Sequence, residues 1–382
     1  MLIYDPIHGY IEVEGLFKSI INTQEFQRLK NVKQLGNAYL VFPTTNHTRF
    51  EHSLGAYYLA SQFADQLQLN QEQTKKLKTA ALLHDIGHGP FSHTIEGVYG
   101  NTTHEDISIK KIKSDPIKGI LESEGIHPNS IEKLILGKGK LGPIIAGDID
   151  VDRMDYLLRD SYYSGVAHGV IDSETIIRSA EFKGKDLVFS AKYKQALEGL
   201  LVGRSLMRST IYFNETVLVA DRMLQKAVSS LVNEENISVE QLTEMDDIDL
   251  ISRLRSTNVP TAKYLNEKLY KRDLFKKAVE VPLGELSHKT QKLNANELEQ
   301  ALSEKLDLET KKIVVDLPYI NNKSSEINIK IYQDEEIINL DSESVITKST
   351  TQSSSYPNTL RIYCDKNLDK LQQHASQIQT ML

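Results

Sequence analysis

The stretch His84-Asp-Ile-Gly-His-Gly-Pro-Phe-Ser-His93 places three histidines and an aspartate at the predicted end of a helix. Apolar residues at helical spacing precede it, in a segment that opens with the capping pattern Asn70-Gln-Glu-Gln73. Two glycines and a proline in Gly87-His-Gly-Pro90 then supply the left-handed cap and the missing donor that end a helix. The sequence therefore predicts that the His84-Asp85 pair and His88 lie in the last turn of this helix or just beyond it.

Three further motifs surround this stretch: Arg49-Phe-Glu-His52, Thr103-His-Glu105 and Asp152-Arg-Met-Asp-Tyr156. Seven of the 11 histidines fall within the first 104 residues, and such clustering favours a functional site. A divalent metal ion that serves phosphate chemistry prefers imidazole and carboxylate ligands, with positions left open for water and substrate. That mixture is available from His52, His84, Asp85 and Asp152, if a packed helical bundle brings the first and last of them to the His-Asp pair.

A helix predicted over 148–163 carries five polar side chains on one stripe: Asp152, Asp155, Tyr156, Arg159 and Asp160. Such a stripe is usually a solvated face, but beside a metal cluster it would equally form a nucleotide cradle. Arg49 lies three residues before His52, and its guanidinium offers paired donors that match phosphate. For Arg49 alone, a surface salt bridge is the simpler interpretation. His8 is interpreted as a turn residue and His47 as part of a polar loop.

The composition is that of a folded protein with a substantial core, since 40% of the 382 residues are hydrophobic and the length suggests two or three domains. The net charge of -7 and the pI of about 5.9 argue against a protein dedicated to duplex nucleic acid. The single cysteine, Cys364, cannot form an internal disulfide. There is no signal-peptide pattern and no apolar run of roughly 20 residues, so we expect a cytoplasmic protein without membrane contact.

Hydrophobic periodicity predicts a mainly α fold followed by a smaller α/β part. Residues 1–282 are assigned to one large domain with a short hairpin at 181–190 and helices at 49–68, 102–113, 148–163 and 191–232. Residues 283–382 are assigned to a small α/β appendage with a helix at 294–306 and strands at 312–316, 327–332 and 360–364. A Ser/Thr-rich stretch near 342–356 is too poor in apolar residues to pack and is predicted to be a polar loop.

Six motifs together resemble the HD-domain deoxynucleoside triphosphate triphosphohydrolases: Asp5-Pro-Ile-His-Gly9, Phe26-Gln-Arg-Leu29, Lys33-Gln-Leu-Gly36, Arg49-Phe-Glu-His-Ser53, the stretch 84–93 and the stretch 152–156. The chain resembles the branch that contains the vertebrate sterile-alpha-motif and HD-domain protein, and it is more distantly similar to bacterial dGTPases. The matches are dense over residues 1–165 and weaker beyond. Six motifs in order are far more specific than one His-Asp pair. The resemblance implies an HD-domain helical bundle before the appendage.

The resemblance also implies roles for the matching residues. The ligands of a divalent Fe, Mn, Zn or Ni ion would be His52, His84, Asp85 and Asp152, with Mg2+ bound to the substrate phosphates. The cationic phosphate contacts would be Arg49, Arg153 and either Arg204 or Arg208. The phosphate channel would be lined by His88, His93 and His104, with Glu96 beside them. Either His104 or His93 would be the general acid, because the pKa of imidazole lies near working pH.

The implied sugar contacts are Gln34 and Leu35, with Tyr156 crowding the ribose 2' position and Asp160 accepting the 3'-hydroxyl. The implied reaction is attack of water on the α-phosphorus of a dNTP, which releases a deoxynucleoside and tripolyphosphate. Spacing alone does not distinguish this reaction from loss of the terminal phosphate. Two alternatives stay open: another HD phosphohydrolase acting on nucleoside monophosphates, cyclic nucleotides or guanosine tetraphosphate, and a nucleotide sensor or single-stranded nucleic-acid binder without turnover.

Some positions depart from the family pattern. Arg153 stands where close relatives often have lysine, and Glu96 stands where aspartate is common. On the helix that carries an activator contact in the vertebrate relative, Asn22 replaces an aspartate and Lys30 replaces an arginine. We therefore do not expect activation by GTP, whereas another nucleotide effector or none fits the sequence. By analogy with the family, we expect a homodimer or homotetramer.

Overall fold

The computed structural model describes residues 1–287, 290, 293–317, 327–353 and 359–365. The mainly α fold class is confirmed, and the helices are α1 (Gly15–Ile21), α2 (Gln24–Gln27), α3 (Arg49–Gln66), α4 (Gln71–Leu83), α5 (His104–Ile112), α6 (Ile117–Ser123), α7 (Pro128–Ile135), α8 (Gly142–Ile145), α9 (Val151–Ser164), α10 (Ser173–Ser179), α11 (Lys194–Met207), α12 (Glu215–Glu235), α13 (Val239–Glu244), α14 (Asp247–Ser256), α15 (Pro260–Tyr270), α16 (Ala295–Leu306), α17 (Leu340–Glu343) and α18 (Val345–Ser353). Short 3-10 turns join several of them, including Gly36–Leu40 and Ser92–Val98. None of the described helices is long and apolar enough to cross a membrane.

The described strands form three small sheets, and they are β1 (Leu2–Asp5), β2 (Gly9–Glu12), β3 (Ala180–Lys183), β4 (Asp186–Ser190), β5 (Lys276–Pro282), β6 (Ile313–Asp316), β7 (Lys330–Gln333), β8 (Glu336–Asn339) and β9 (Thr359–Cys364). The orders are β1-β2, β3-β4-β7-β8 and β5-β9-β6, and only the β4–β7 pair is parallel within the described residues. The hairpin predicted at 181–190 is therefore extended by a hairpin from the C-terminal part. Strand pairing crosses the boundary predicted at residue 282.

The helices that carry the motifs begin at the caps that the sequence indicates. Thr48 and Glu51 form a capping box that opens α3, and Asn70 and Gln73 form another that opens α4. α4 ends at Leu83, so the His84-Asp85 pair lies just beyond the last turn, as predicted. α3 packs against both α4 and α9, with Leu54, Leu82 and Met154 in one buried cluster. This packing holds three motif segments side by side.

Two expectations about local structure are wrong. The helix predicted over 191–232 is interrupted: α11 ends at Met207, a wider π-helical turn spans Arg208–Tyr212, and α12 starts after the capping residue Asn214. The polar loop predicted near 342–356 is largely helical, because α17 and α18 cover most of it up to Ser353, and 354–358 lie outside the described residues. In both places tertiary packing outweighs the local pattern: a turn lines a cavity, and α18 packs against α11.

Candidate active site

Four side chains converge between α3, α4 and α9, and we call them the candidate metal centre: His52, His84, Asp85 and Asp152. His52 Nε2 lies 3.0 Å from Asp152 Oδ1, 3.3 Å from His84 Nε2 and 3.4 Å from Asp85 Oδ2. His84 Nε2 lies 3.4 Å from Asp85 Oδ1 and 3.6 Å from Asp152 Oδ1. Ligands bonded to one ion at about 2.0–2.2 Å are roughly 3 Å apart, so the four donors fit a single divalent cation. The predicted metal-ligand set is thus brought together in space, and His52, His84 and Asp85 have ligand atoms within 4.8 Å of one another.

Both histidines of the candidate metal centre are held through their other ring nitrogen. His52 Nδ1 is 2.8 Å from Asp155 Oδ2, and His84 Nδ1 is 2.8 Å from the carbonyl oxygen of Ala81. Each Nδ1 therefore donates, so that the Nε2 of each ring, once free of a proton, would offer its lone pair to a cation. Burial alone would lower the pKa of His52, but hydrogen bonds to Asp152 and Asp155 raise it to about 10. A cation that binds to Nε2 must therefore displace a proton.

Asp155 connects the candidate metal centre to the N-terminal turn. It accepts from Arg159 Nε at 2.8 Å and from His8 Nε2 at 2.7 Å, and Arg159 also donates to Asp5 at 2.7 Å. Burial would raise the pKa of Asp155, but Arg159 and the two histidines hold it well below its usual value. The polar stripe on α9 is consequently not a solvated face, since Arg159 and Asp155 are fully buried. His8 is more than a turn residue, because it orients the partner of a metal ligand.

Arg49 is buried, so the surface salt bridge considered for it is not what forms. Its Nη1 donates to Asp85 Oδ2 at 2.5 Å, and its Nε donates to Ser92 Oγ at 2.9 Å. Burial would raise the pKa of Asp85, but Arg49 and the neighbouring histidines hold it well below its usual value. Arg49 thus fixes one metal ligand and also lines the cavity described below.

His88, His93 and His104 form a second group next to the candidate metal centre, which we call the histidine cluster. The rings of His88 and His104 stack with centroids 4.0 Å apart, and His93 meets His88 edge-on at 4.8 Å. Glu96 accepts from His104 Nδ1 at 2.6 Å and from His93 Nδ1 at 2.9 Å. All four predicted residues are therefore in contact. The Nε2 atom of His88 is buried 3.3 Å from Asp85 Oδ1, and that of His104 lies 3.4 Å from Glu105 Oε1.

Charge is distributed unevenly in the histidine cluster. Burial, Arg49 and His104 together lower the pKa of His88 well below its usual value, so its ring is neutral. Burial would lower the pKa of His104 as well, but its hydrogen bond to Glu96 and the charge of that carboxylate raise it above its usual 6.5. Glu96 in turn has a pKa far below its usual value, because the two histidines offset the effect of burial. His104 can therefore carry a proton near neutral pH.

The loop that presents the histidine cluster is fastened by Arg28, a residue that sequence reasoning passed over. Its guanidinium donates to the carbonyl oxygens of Ile86 at 3.1 Å, His88 at 2.6 Å and Met245 at 2.9 Å. Those carbonyls lie just after α4 and α13, where no backbone N–H of the helix is left to donate to them. Arg28 lies inside the motif Phe26-Gln-Arg-Leu29, which could have marked it as a candidate residue. The spacing of the motif, however, does not show which carbonyl oxygens it binds.

A cavity of about 440 Å³ opens beside these groups. Seven of the residues predicted from the sequence line it: Gln34, Leu35, Arg49, His93, Tyr156, Asp160 and Arg208. Two predicted phosphate contacts do not line it. Arg153 instead pairs with Asp150 at 2.5 Å at the start of α9, and Arg204 lies near Tyr156 with its Nε buried and without a hydrogen-bond partner among the described residues.

Two further groups at the cavity were missed or misread in the sequence. His47 was expected in a polar loop, but it is buried and its Nε2 lies 2.8 Å from Asp160 Oδ1. Asp221 on α12 also lines the cavity and accepts from Asn37 Nδ2 at 2.8 Å and Thr94 Oγ1 at 3.0 Å. Burial raises the pKa of Asp221 to about 6 against these hydrogen bonds. Neither residue stands in a pattern that distinguishes it from ordinary loop or helix positions.

The fold and the site define an HD-type phosphohydrolase, and comparison with known proteins agrees. The HD domain model matches residues 49–160, and the model of the HD associated region matches residues 171–381, which is more than half of the chain. The chain therefore belongs to the HD-domain family. The resemblance inferred from the motifs is confirmed at this level, and the protein is a phosphohydrolase of that superfamily with residues placed to bind a metal ion.

Individual relatives span a range of similarity. An uncharacterized protein of Methanocaldococcus jannaschii is 39% identical over 376 residues, covering 96% of this chain and 79% of its own length. The human deoxynucleoside triphosphate triphosphohydrolase SAMHD1 is 36% identical over 209 residues, which is 43% of this chain and 33% of that protein. The crystal structure of a phosphohydrolase from Bacteroides thetaiotaomicron superimposes with a TM-score of 0.78 at 25% identity, covering 96% of this chain and 100% of that one.

Proposed function

We propose that this protein hydrolyses deoxynucleoside triphosphates to a deoxynucleoside and tripolyphosphate. The observation that carries the proposal is the order of charge along the cavity. Arg49 and the histidine cluster lie next to the candidate metal centre, whereas the carboxylate of Asp160 lies on the wall of the same cavity. A ligand that satisfies both ends has an anionic phosphate chain followed by an uncharged group with a hydroxyl donor. A nucleoside triphosphate has that order.

The divalent ion would be held by His52, His84, Asp85 and Asp152, whose donor atoms fit Fe, Mn, Zn or Ni. When bound, it supplies Lewis-acid polarisation of a phosphoryl oxygen and lowers the pKa of a water ligand. Arg49 offsets the charge that develops on the α-phosphate and keeps Asp85 ionised. Mg2+ on the remaining phosphates completes the proposed requirement for cations.

His104 is the best-placed general acid in the histidine cluster. Its Nδ1 is fixed on Glu96 at 2.6 Å, and its raised pKa keeps a proton on the ring near neutral pH. Its Nε2–H would donate to the 5'-oxygen of the departing deoxynucleoside as the bond from that oxygen to the α-phosphorus breaks. His93 shares Glu96 but is 61% exposed, so its ring is held less firmly and serves better as a phosphate contact. Neutral His88 orders the cluster by stacking on His104.

The sugar would lie between Tyr156 and Asp160. Tyr156 packs edge-on to Tyr212 at a centroid distance of 6.2 Å, and both rings line the cavity. Exclusion of a ribose 2'-hydroxyl by the ring of Tyr156 would favour deoxynucleotides. Gln34 and Leu35 also line this cavity and would contact the sugar. In this arrangement the 3'-hydroxyl faces the carboxylate of Asp160.

Product analysis tests the proposal directly. Metal-loaded protein is incubated with each of the four dNTPs and four NTPs, and the products are resolved by ion-exchange chromatography. Tripolyphosphate together with the deoxynucleoside is the expected result. Orthophosphate or pyrophosphate release would show another HD phosphohydrolase activity, and binding without any product would show a nucleotide sensor.

Asp152→Ala removes one ligand of the candidate metal centre and should abolish turnover. Loss of outer-shell partners of metal ligands already costs roughly 10- to 100-fold, so loss of a ligand should exceed 100-fold. Metal content by mass spectrometry should fall in parallel. Retained activity with normal metal content would show that the ligand assignment is wrong.

A further inference from the structure

The carboxylate of Asp160 is hydrogen-bonded by two residues that lie far from it in the sequence. His47 Nε2 is 2.8 Å from Oδ1, and the hydroxyl of Tyr212 donates to Oδ2 at 2.6 Å. The His47 side chain is fully inaccessible, and its ring stacks on Tyr163 with centroids 4.7 Å apart and planes inclined by 19°. Each carboxylate oxygen of Asp160 therefore has a donor of its own in a fixed position.

A carboxylate held in this way selects the group that it meets in the cavity. Phosphate oxygens would be repelled by it, whereas a neutral hydroxyl can donate to a lone pair that His47 and Tyr212 leave free. The orientation of the remaining lone pairs is set by the two existing hydrogen bonds. His47 also accepts from the backbone of Gln34 at 3.0 Å through its own carbonyl oxygen, and Gln34 lines the same cavity. His47 is thus hydrogen-bonded to two residues of the cavity wall, Asp160 and Gln34.

We propose that His47 is a positioning residue, which aims the carboxylate of Asp160 at the 3'-hydroxyl of the deoxyribose. This inference rests on the proposed dNTP hydrolysis. His47 is not among the residues that line the cavity; its Nε2–H donates to Asp160, and its ring stacks on Tyr163. Its contribution is the difference between a carboxylate in one orientation and a carboxylate free to rotate. That difference matters for a substrate with a 3'-hydroxyl and not for one that lacks it.

The test compares each dNTP with its 2',3'-dideoxy counterpart in wild type, His47→Ala and His47→Gln. Hydrogen bonds to charged groups are worth enough to give roughly tenfold discrimination or more, so wild type should prefer the 3'-hydroxyl substrate about tenfold in kcat/KM. His47→Ala should remove most of that preference, with the loss expressed mainly in KM and only for the 3'-hydroxyl substrate. In His47→Gln the amide nitrogen reaches a position near that of Nε2, and this variant should recover much of the preference.

Controls separate positioning from general damage. Tyr212→Phe removes the second donor to Asp160 and should move the ratio in the same direction, which keeps the test open if His47→Ala does not fold. His168→Ala removes an exposed histidine that is not among the residues lining the cavity and should leave the ratio unchanged.

Three outcomes are distinguishable. A falling ratio of the two substrates in His47→Ala and Tyr212→Phe, with dideoxy kinetics preserved in His47→Ala, supports the inference. An equal loss on both substrates, with the ratio unchanged, overturns it even though the protein hydrolyses dNTPs. Absence of tripolyphosphate from wild type overturns the proposed function, and the role of His47 at the sugar is then refuted with it.

Discussion

The candidate metal centre and the cavity beside it are built in different ways. The candidate metal ligands lie on the long helices α3 and α9 or are the two residues that follow α4, and His52 and its partner Asp155 are fully buried. The cavity is lined partly by α3, α9 and α12 and partly by short turns, namely the 3-10 turns Gly36–Leu40 and Ser92–Val98 and the π-helical turn Arg208–Tyr212. The first region has regular backbone and a double layer of hydrogen bonds. The second depends on irregular backbone that other parts of the chain hold in place.

This difference suggests that the candidate metal centre carries the chemistry common to all substrates, whereas the cavity carries the recognition of a particular substrate. A fixed set of ligands on packed helices suits chemistry that must be the same for every substrate. Turns whose shape depends on tertiary contacts suit the recognition of one substrate, since a few substitutions can reshape them. Changes in the candidate metal centre should therefore abolish activity altogether. Changes in the cavity should alter selectivity.

Apart from loss of a metal ligand, the largest effect is expected from Gly55→Ala, which disturbs the packing of α3 on α9. A Cβ atom at Gly55 would lie 1.7 Å from Asp155 Oδ1 and 2.6 Å from Arg159 Nη2. The two helices must move apart, which should cost about 1–3 kcal/mol of stability and pull Asp155 away from His52. Metal affinity should fall roughly 10- to 100-fold, because an outer-shell partner is displaced. Thermal unfolding and metal titration measure the two effects.

Gly199→Ala is the matched control, because this exposed glycine lies inside α11, where no described atom other than those of its chain neighbours and its own helix backbone is within 4 Å of the added carbon. It should raise stability by up to about 1 kcal/mol through helix propensity, with no change in metal affinity. If Gly55→Ala behaves in the same way as this control, the close approach of α3 and α9 is not needed for the metal site.

An intermediate effect is expected from Glu96→Gln, which changes the charge of the histidine cluster. In wild type the pKa of His104 lies above 6.5 because Glu96 opposes the effect of burial. The protonated acid is therefore lost, and kcat/KM falls, as pH rises through that raised pKa. Without the carboxylate, burial lowers the pKa of His104, and the falling limb should move to lower pH. The measurement is kcat/KM for a dNTP between pH 5.5 and roughly 9, the range in which a perturbed histidine titrates.

Glu105→Gln serves as the comparison for Glu96, because its carboxylate lies 3.4 Å from His104 Nε2 and is 45% exposed. In Glu105→Gln the decrease of kcat/KM at high pH should move less than it does in Glu96→Gln. A limb that stays at the same pH in both variants would mean that His104 does not carry the essential proton.

The smallest effect is expected from Tyr156→Ala at the cavity. Removing the ring should admit a ribose 2'-hydroxyl and lower the dNTP:NTP ratio of kcat/KM by roughly tenfold, as for other contacts worth about 1–3 kcal/mol. Turnover of dNTPs should stay within a few-fold of wild type. An unchanged ratio would remove Tyr156 from the selection of the sugar, while the role of the candidate metal centre would be unaffected.

Much of the site could be predicted from the sequence because its ligands lie at helix ends with strong signals. The Asn70 cap and the Gly87-His-Gly-Pro90 stop define α4, and the His-Asp pair follows at the expected position. The buried hydrogen-bond network could not be predicted from the sequence. Arg159 belongs to a stripe typical of an exposed helix face, and His8 and Asp5 belong to a turn; their contacts form only when the N-terminal segment packs on α9. His47 was misread for the same reason. Its partner lies 113 residues away.

The sequence by itself determined the class of fold and predicted the candidate metal ligands and the chemistry that they favour, because periodicity, caps and ordered motifs are local properties. Only the tertiary structure decided which charges are buried and which groups face one another across the cavity. Arg49 faces Asp85, Arg28 holds the loop carbonyls, and His47 meets Asp160. The physical reason is that desolvation and hydrogen-bond geometry depend on neighbours in space. Residues far apart along the chain become such neighbours only when the helices pack.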